Sequence, residues 1–146
     1  MNDDYMKVAY LQAKKAYKKD EVPIGAILVL NNKIIAKNYN SVEKHKDCTM
    51  HAEIKVIKQA QRKLKNWRLN NCTLYVTLQP CLMCMGAIIQ SRIKHIIYSV
   101  ESNYLSKEEK EYVNFLIKKH NIIMEKGILE EENKNLLDTF FQKKRK

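Results

Sequence analysis

The sequence predicts a mixed α/β fold in one domain: a mixed five-stranded sheet with helices packed on it. Three observations carry that expectation. Apolar residues recur every three or four positions in some stretches and form short unbroken runs in others, so helices and buried strands both occur. Two apolar runs near the N-terminus are separated only by an Asn-rich turn, which makes them an antiparallel hairpin. A helical stretch lies between the last two strands, so that connection is a crossover and the pair is parallel.

The elements follow in order. From Asn2 to about Lys19, Met6, Ala9, Tyr10, Ala13, Ala16 and Tyr17 recur at helical spacing. "GAILVL", "NNK" and "IIAKNYN" are strand, turn and strand. From His51 to about Lys65 a second helix places Ile54, Ile57, Ala60 and Leu64 on one face, and an irregular "NWRLNN" leads into the strand "CTLYVTL". Pro80 ends that strand, and "CLMCMGAIIQSR" is a third helix with Cys81, Cys84, Ala87 and Ile88 on one side. "IKHIIYSV" is a buried strand. "SKEEKEYVNFLIKKH" is a helix opened by Ser106 with Glu109 three residues on, the pattern of a capping box, and "NIIME" is a short strand. The last helix runs from about Leu129 to Phe141 and frays into a basic tail, about 142–146.

The 146 residues suffice for one core, here a single domain over 1–146, and fall short of two. With 45% hydrophobic and 29% charged residues, the composition excludes a disordered chain and a fibrous repeat. No apolar run approaches the roughly 18 residues of a spanning helix. "MNDDYMKVAY" is acidic and polar where a leader peptide is basic and then apolar. A cytoplasmic protein with no membrane partner is expected. Lys and Arg total 27 against 16 Asp and Glu, a formal charge of +11. That excess suits a polyanionic partner, most simply nucleic acid, because neutralising phosphates releases counterions. A lysine-rich bias from an A- and T-rich genome is the competing explanation.

The four cysteines are Cys48, Cys72, Cys81 and Cys84. Without a secretory signal they are not expected to form disulfides, and the close C-x-x-C reads as metal or redox chemistry. The pair sits at a helix start, where the dipole favours thiolates. His51 opens another helix, and the helix and strand between them return the chain to the same end of the sheet. His51, Cys81 and Cys84 therefore supply the three nitrogen and sulfur ligands of a catalytic zinc site, which leaves its fourth position to water. Glu53, two residues after His51, is placed to take a proton from that water without binding the metal, and to return it later. The H-x-E and P-C-x-x-C spacing is a known signature of zinc deaminases. Cys48 would close the open position if it were a fourth ligand, and Cys72 is most simply a core residue. His45, His95 and His120 read as structural or surface histidines.

Beyond these residues, "EVPIGAILV", "HAEI", "RLNNCTLYVTLQPCLMCMGAIIQSRI" and the ending "KGIL" through "FFQKKR" resemble the cytidine and nucleotide deaminase superfamily, and within it the bacterial tRNA-specific adenosine deaminases, across nearly the whole chain. The resemblance implies a three-layer cytidine-deaminase-like fold and hydrolytic deamination of adenosine to inosine at the wobble position of a tRNA anticodon, one reading arginine codons. It implies one zinc ion per subunit on His51, Cys81 and Cys84, and Glu53 as proton shuttle. Asn40 would contact the target nucleoside, with Pro23, Ile24 and Ala52 also in the substrate site. It further implies a homodimer whose partner chains complete each other's groove, and an anticodon stem-loop as the RNA bound.

Three departures from that pattern stand out. Gln79 replaces the Glu usual before Pro-Cys, which changes the charge of the pocket. Cys48 and Met50 stand where Pro and Ala are common. "VESNYLSKEEKEY" lacks the usual glycine and is more acidic, so no roles carry over to Ser102 and Asn103. A deaminase of free guanine, cytosine or a deoxycytidine nucleotide would use the same zinc and glutamate. An RNA-binding module with a structural zinc would need neither Glu53 nor an open ligand position.

Overall fold

The computed structural model describes residues 3–145. Asn2, at the expected start of the first helix, and Lys146, at the end of the basic tail, lie outside them. The elements are α1 (Asp3–Lys18), β1 (Gly25–Leu30), β2 (Lys33–Tyr39), α2 (Val42–His45), α3 (Ala52–Leu64), β3 (Thr73–Leu78), α4 (Leu82–Gln90), β4 (His95–Val100), α5 (Lys107–Lys119), β5 (Ile123–Lys126) and α6 (Glu130–Lys144).

The five strands form one sheet in the order β2-β1-β3-β4-β5. β1 is antiparallel to both β2 and β3, whereas β3, β4 and β5 run parallel, as the crossover argument requires. Asn31 and Asn32 turn the hairpin with φ of 51° and 62°, the left-handed conformation that asparagine tolerates and that a two-residue hairpin turn needs.

Alternation along the strands feeds two cores. Ala26, Leu28, Leu74, Val76 and Ile96 face the layer of α3, α4 and α5, and Ile27, Val29, Tyr75 and Ile97 face the other side, where Met6 and Ala9 of α1 pack. α1 lies close because its inward residues Ala9, Ala13 and Ala16 are small and fully buried, and because Gly25 opposite them has no side chain. The capping box of α5 is complete: Ser106 Oγ accepts from the Glu109 N–H at 3.1 Å, and the Glu109 carboxylate accepts from the Ser106 N–H at 2.9 Å.

Three features differ from the expectation. The inward stripe of α3 is Ala52, Glu53, Val56, Ile57 and Ala60, while Leu64 is exposed and Ile54 half-buried. Apolar periodicity skips a buried carboxylate, so the expected face was rotated away from Glu53. The short helix α2 was not expected at all. α6 runs on through Lys144 instead of fraying after Phe141, because its end is anchored: Lys144 Nζ lies 2.6 Å from Asp20 Oδ2 and Lys143 Nζ lies 4.7 Å from the Tyr17 ring centre.

Candidate metal centre and adjoining cleft

Because each helix packs antiparallel to the strand that follows or precedes it, α3 and α4 both begin at the carboxyl end of β3. His51 is the N-cap of α3 and Cys81 the N-cap of α4, each in extended conformation, and Cys84 lies one turn into α4. The fold thereby brings together three side chains from two distant sequence positions. His51 Nδ1 is 3.7 Å from Cys81 Sγ and 3.6 Å from Cys84 Sγ, and the three donor atoms all lie within 4.8 Å of one another. An imidazole nitrogen and two sulfurs at that spacing could hold one metal ion, and among the described residues this is the only such group of His, Cys, Asp and Glu. Cys48, exposed, is outside it, and Cys72 is 2% exposed in the core; all four cysteines are free of disulfides.

The three side chains shift one another's protonation. A hydrogen bond from Cys84, reinforced by one from His51, lowers Cys81 to about 4, so its sulfur is a thiolate at neutral pH. The same proton sharing with Cys81, then burial, pushes the Cys84 thiol up. The His51 imidazole is raised, chiefly by its hydrogen bond to Cys81. A divalent ion would displace the protons these groups share.

Glu53 stands beside them, 3% exposed, and its Oε1 is buried without a hydrogen-bond partner. Burial pushes its carboxyl up to about 7, and the negative charge of Cys81 adds to the shift. A buried carboxyl with an unused oxygen next to a set of soft donors is costly in structural terms, and the cost has a purpose only if something enters there. That orphaned oxygen is the observation that the trio fits a metal with a reacting molecule beside it.

A cleft of about 1030 Å³ opens from His51, lined among others by Glu21, Asn40, Ser41, Cys48 and Lys144. Asn40 is 4% exposed; its Oδ1 accepts from the Ala52 N–H at 2.7 Å, and its own N–H donates to the Ile24 carbonyl at 3.1 Å. Asn40 thus satisfies the first amide of α3, which the His51 side chain, turned toward the sulfurs, does not. Of the other sequence candidates, the Ala52 side chain is fully buried in the core, Ile24 packs against that core, and Pro23 is buried next to it; none of the three lines the cleft.

Gln79 does not hang in the pocket as a changed charge. Its Oε1 accepts from the Ser102 N–H at 3.1 Å, and Ser102 Oγ accepts from Tyr104 N–H at 3.2 Å, so it ties the atypical 101–106 segment to the end of β3. Two residues of this region went unnoticed in the sequence. Glu21, 3% exposed, accepts from the Glu43 and Lys44 N–H groups at 2.9 and 2.8 Å, and Lys55 reaches the segment before α2. No local pattern marks either one. His45 bonds Ser41, His95 lies 3.4 Å from Glu125, and the His120 carbonyl accepts from Lys94, all away from the metal donors.

Comparison with known proteins agrees with this geometry. The MafB19-like deaminase family matches residues 1–145. The tRNA-specific adenosine deaminase of Buchnera aphidicola subsp. Schizaphis graminum is 45% identical over 144 residues, 97% of this chain and 94% of that protein. A solved structure from work on A-to-I editing by tRNA:A34 deaminases at the wobble position superposes with a TM-score of 0.85 at 36% identity, covering 93% of this chain and all of that one. The guanine deaminase of Bacillus subtilis gives a TM-score of 0.65 at 36% identity, covering 69% of this chain and 66% of that one.

Proposed function

We propose a function from one premise: the chain belongs to the MafB19-like deaminase family and, within it, to the tRNA-specific adenosine deaminases. It hydrolyses adenosine to inosine at the wobble position of a tRNA anticodon and releases ammonia. The observation that carries the reading is the buried, partnerless Glu53 oxygen beside His51, Cys81 and Cys84.

Zinc is the ion this donor set suits, one per chain, with three protein ligands and a fourth position left open. Bound there, it would supply Lewis acidity that brings the pKa of water down toward neutrality. Glu53 moves the protons. Its carboxylate takes one from the attacking water, gives it to the adenine ring nitrogen, and carries the next to the exocyclic amine, which departs as ammonia. A carboxyl raised toward 7 by burial is matched to that exchange, and a cation held by His51, Cys81 and Cys84 would favour its ionised form.

Asn40 holds the nucleoside. With Oδ1 fixed by Ala52, its amide NH₂ is left to donate to a sugar hydroxyl in the cleft. Pro23 and Ile24 support the substrate site from behind, through the Ile24 carbonyl that holds the Asn40 N–H, and Ala52 contributes through its backbone amide. Lys19, Lys44 and Lys144 line the cleft and would meet phosphates of the stem-loop. An unpaired anticodon loop makes extrusion of the base inexpensive. The tRNA is one reading arginine codons, the working unit is a homodimer and the compartment is the cytoplasm, readings supported by the resemblance; no helix among the described residues is long and apolar enough to cross a membrane.

The test is deamination by the zinc-loaded protein of an arginine anticodon stem-loop with a wobble adenosine, beside free adenosine, guanine and cytosine. Inosine in the stem-loop alone is expected. The likeness to a guanine deaminase makes free guanine the second candidate, and its turnover with an untouched stem-loop would replace the RNA reading.

A further inference from the structure

Asn40 sits in a two-residue segment between elements, where its N–H donates to the Ile24 carbonyl and the Ser41 N–H donates to the Met50 carbonyl. β2 ends at Tyr39, α2 begins at Val42, and the Ser41 N-cap side chain takes none of the free amides of that helix, its Oγ lying 3.0 Å from His45 Nδ1. The same hydroxyl also meets α3. The ammonium of Lys55, on α3 one turn beyond His51, lies 2.7 Å from Ser41 Oγ and 2.8 Å from the Tyr39 carbonyl, and 4.7 Å from the centre of the Tyr39 ring. The two acceptors are the residues on either side of Asn40. A single charged group therefore brackets it, while the Asn40 amide oxygen is pinned to Ala52 on the same helix.

We propose that Lys55 is a positioning residue: it clamps residues 39–41 to α3 and so fixes the Asn40 side chain in the orientation that receives the nucleoside. This rests on the reading of Asn40 given above. The ammonium is partly desolvated, and burial, followed by Lys44, lowers its pKa. Hydrogen bonds from a charged donor in such a setting are stronger than neutral ones, so two of them restrain three residues firmly. The Lys55 ammonium bonds Tyr39 and Ser41 and does not line the open cleft, while its N–H donates to the His51 carbonyl as an ordinary helix bond of 3.1 Å. Its effect on the reaction passes through Asn40.

A double-mutant cycle of Lys55→Met and Asn40→Ala, on the stem-loop RNA with a wobble adenosine, tests this. Lys55→Met raises KM about tenfold with kcat within about threefold of wild type, and in the Asn40→Ala background it has no further effect, as expected of two residues acting as one unit. A full tenfold effect surviving on Asn40→Ala would overturn the proposal. A second readout is independent of turnover: in the metal-loaded protein, hydrogen exchange at the Ala52 and Ser41 amides speeds up by about tenfold in Lys55→Met, while the interior of α3 is unchanged. Unchanged exchange at those two amides would also overturn it. If the wild-type protein leaves the RNA untouched, the functional reading fails and the exchange experiment alone decides the clamp. If Lys55→Met does not fold, Ser41→Ala removes one of the two acceptors, with a smaller change in the same direction expected and no change at Ala52 refuting the idea.

Discussion

Two glycines should respond to the same substitution with opposite sign. A Cβ at Gly25 would stand 2.0 Å from the Ala9 carbonyl oxygen, 2.5 Å from the Ala13 nitrogen and 2.8 Å from Gln12 Cβ. Non-bonded heavy atoms prefer about 3.5 Å, and the two nearest are backbone, so no rotamer change relieves the overlap. α1 must recede by more than about 1 Å, a gap that forfeits a good part of the contact energy of Met6, Ala9, Ala13 and Ala16. Overpacking costs about 1–3 kcal/mol, and a clash between backbones belongs at the top of that range. The smaller unfolded-state entropy of alanine returns about 0.4–1 kcal/mol, leaving a net loss of about 2–3 kcal/mol. At about 2.1 cal/mol/K per residue, a chain of 146 residues loses about 3 °C of Tm per kcal/mol, so Gly25→Ala should melt about 7–10 °C lower. Gly86, on α4, has nothing within 4 Å of its ideal Cβ, and Gly86→Ala should gain about 0.5–1 kcal/mol, or about 2–3 °C. Calorimetry of both variants in the zinc-loaded state is the assay. A Gly25→Ala protein melting within about 3 °C of wild type would refute the close packing of α1 on β1. A loss at Gly86 would mean that its open face is covered by another chain in solution.

Glu53→Gln should lower kcat by about 10²–10⁴-fold while metal analysis still finds one zinc per chain, since the carboxylate is not among the three donors; retained turnover would remove it from proton transfer. Glu21→Ala should cost about 1–3 kcal/mol in denaturant unfolding, because two amides of α2 lose a charged acceptor. RNA affinity should fall steeply with added salt, as expected for a chain of net charge +11 that contacts phosphates. A flat response in a filter-binding titration would leave that charge as compositional bias.

The grouping of His51, Cys81 and Cys84, which could hold a metal ion, was legible because residue type there is chemistry. His51, Cys81, Cys84 and Glu53 need no contact map to suggest a catalytic zinc, only the expectation that two helix starts meet at one end of a sheet. The capping box and the hairpin turn were legible because each rests on residues within a few positions of one another, whereas the order of the strands was not. The misread face of α3 came from a rule that treats every Glu as solvent-facing. The end of α6 depends on Lys144 meeting Asp20, 124 positions away, and no periodicity encodes such a pairing. Glu21 and Lys55 escaped notice for that reason too.

Those two residues also explain how the metal side and the substrate side are held together. α2, α3 and α4 each begin at a residue whose side chain makes no cap for its own helix. Cys81 and His51 turn toward the metal position, and Ser41 toward Lys55. For two of the helices, the free first-turn amides are then satisfied from afar: Asn40 takes the first amide of α3, and Glu21 takes two amides of α2. Each borrowed cap ties one wall of the cleft to another, because Glu21 comes from the connection after α1 and Asn40 from the end of β2. A site that spends its N-cap side chains on chemistry gains cross-links in exchange. Loosening the cap of α2 should therefore be felt at Asn40, and through Asn40 at the start of the helix that carries Glu53.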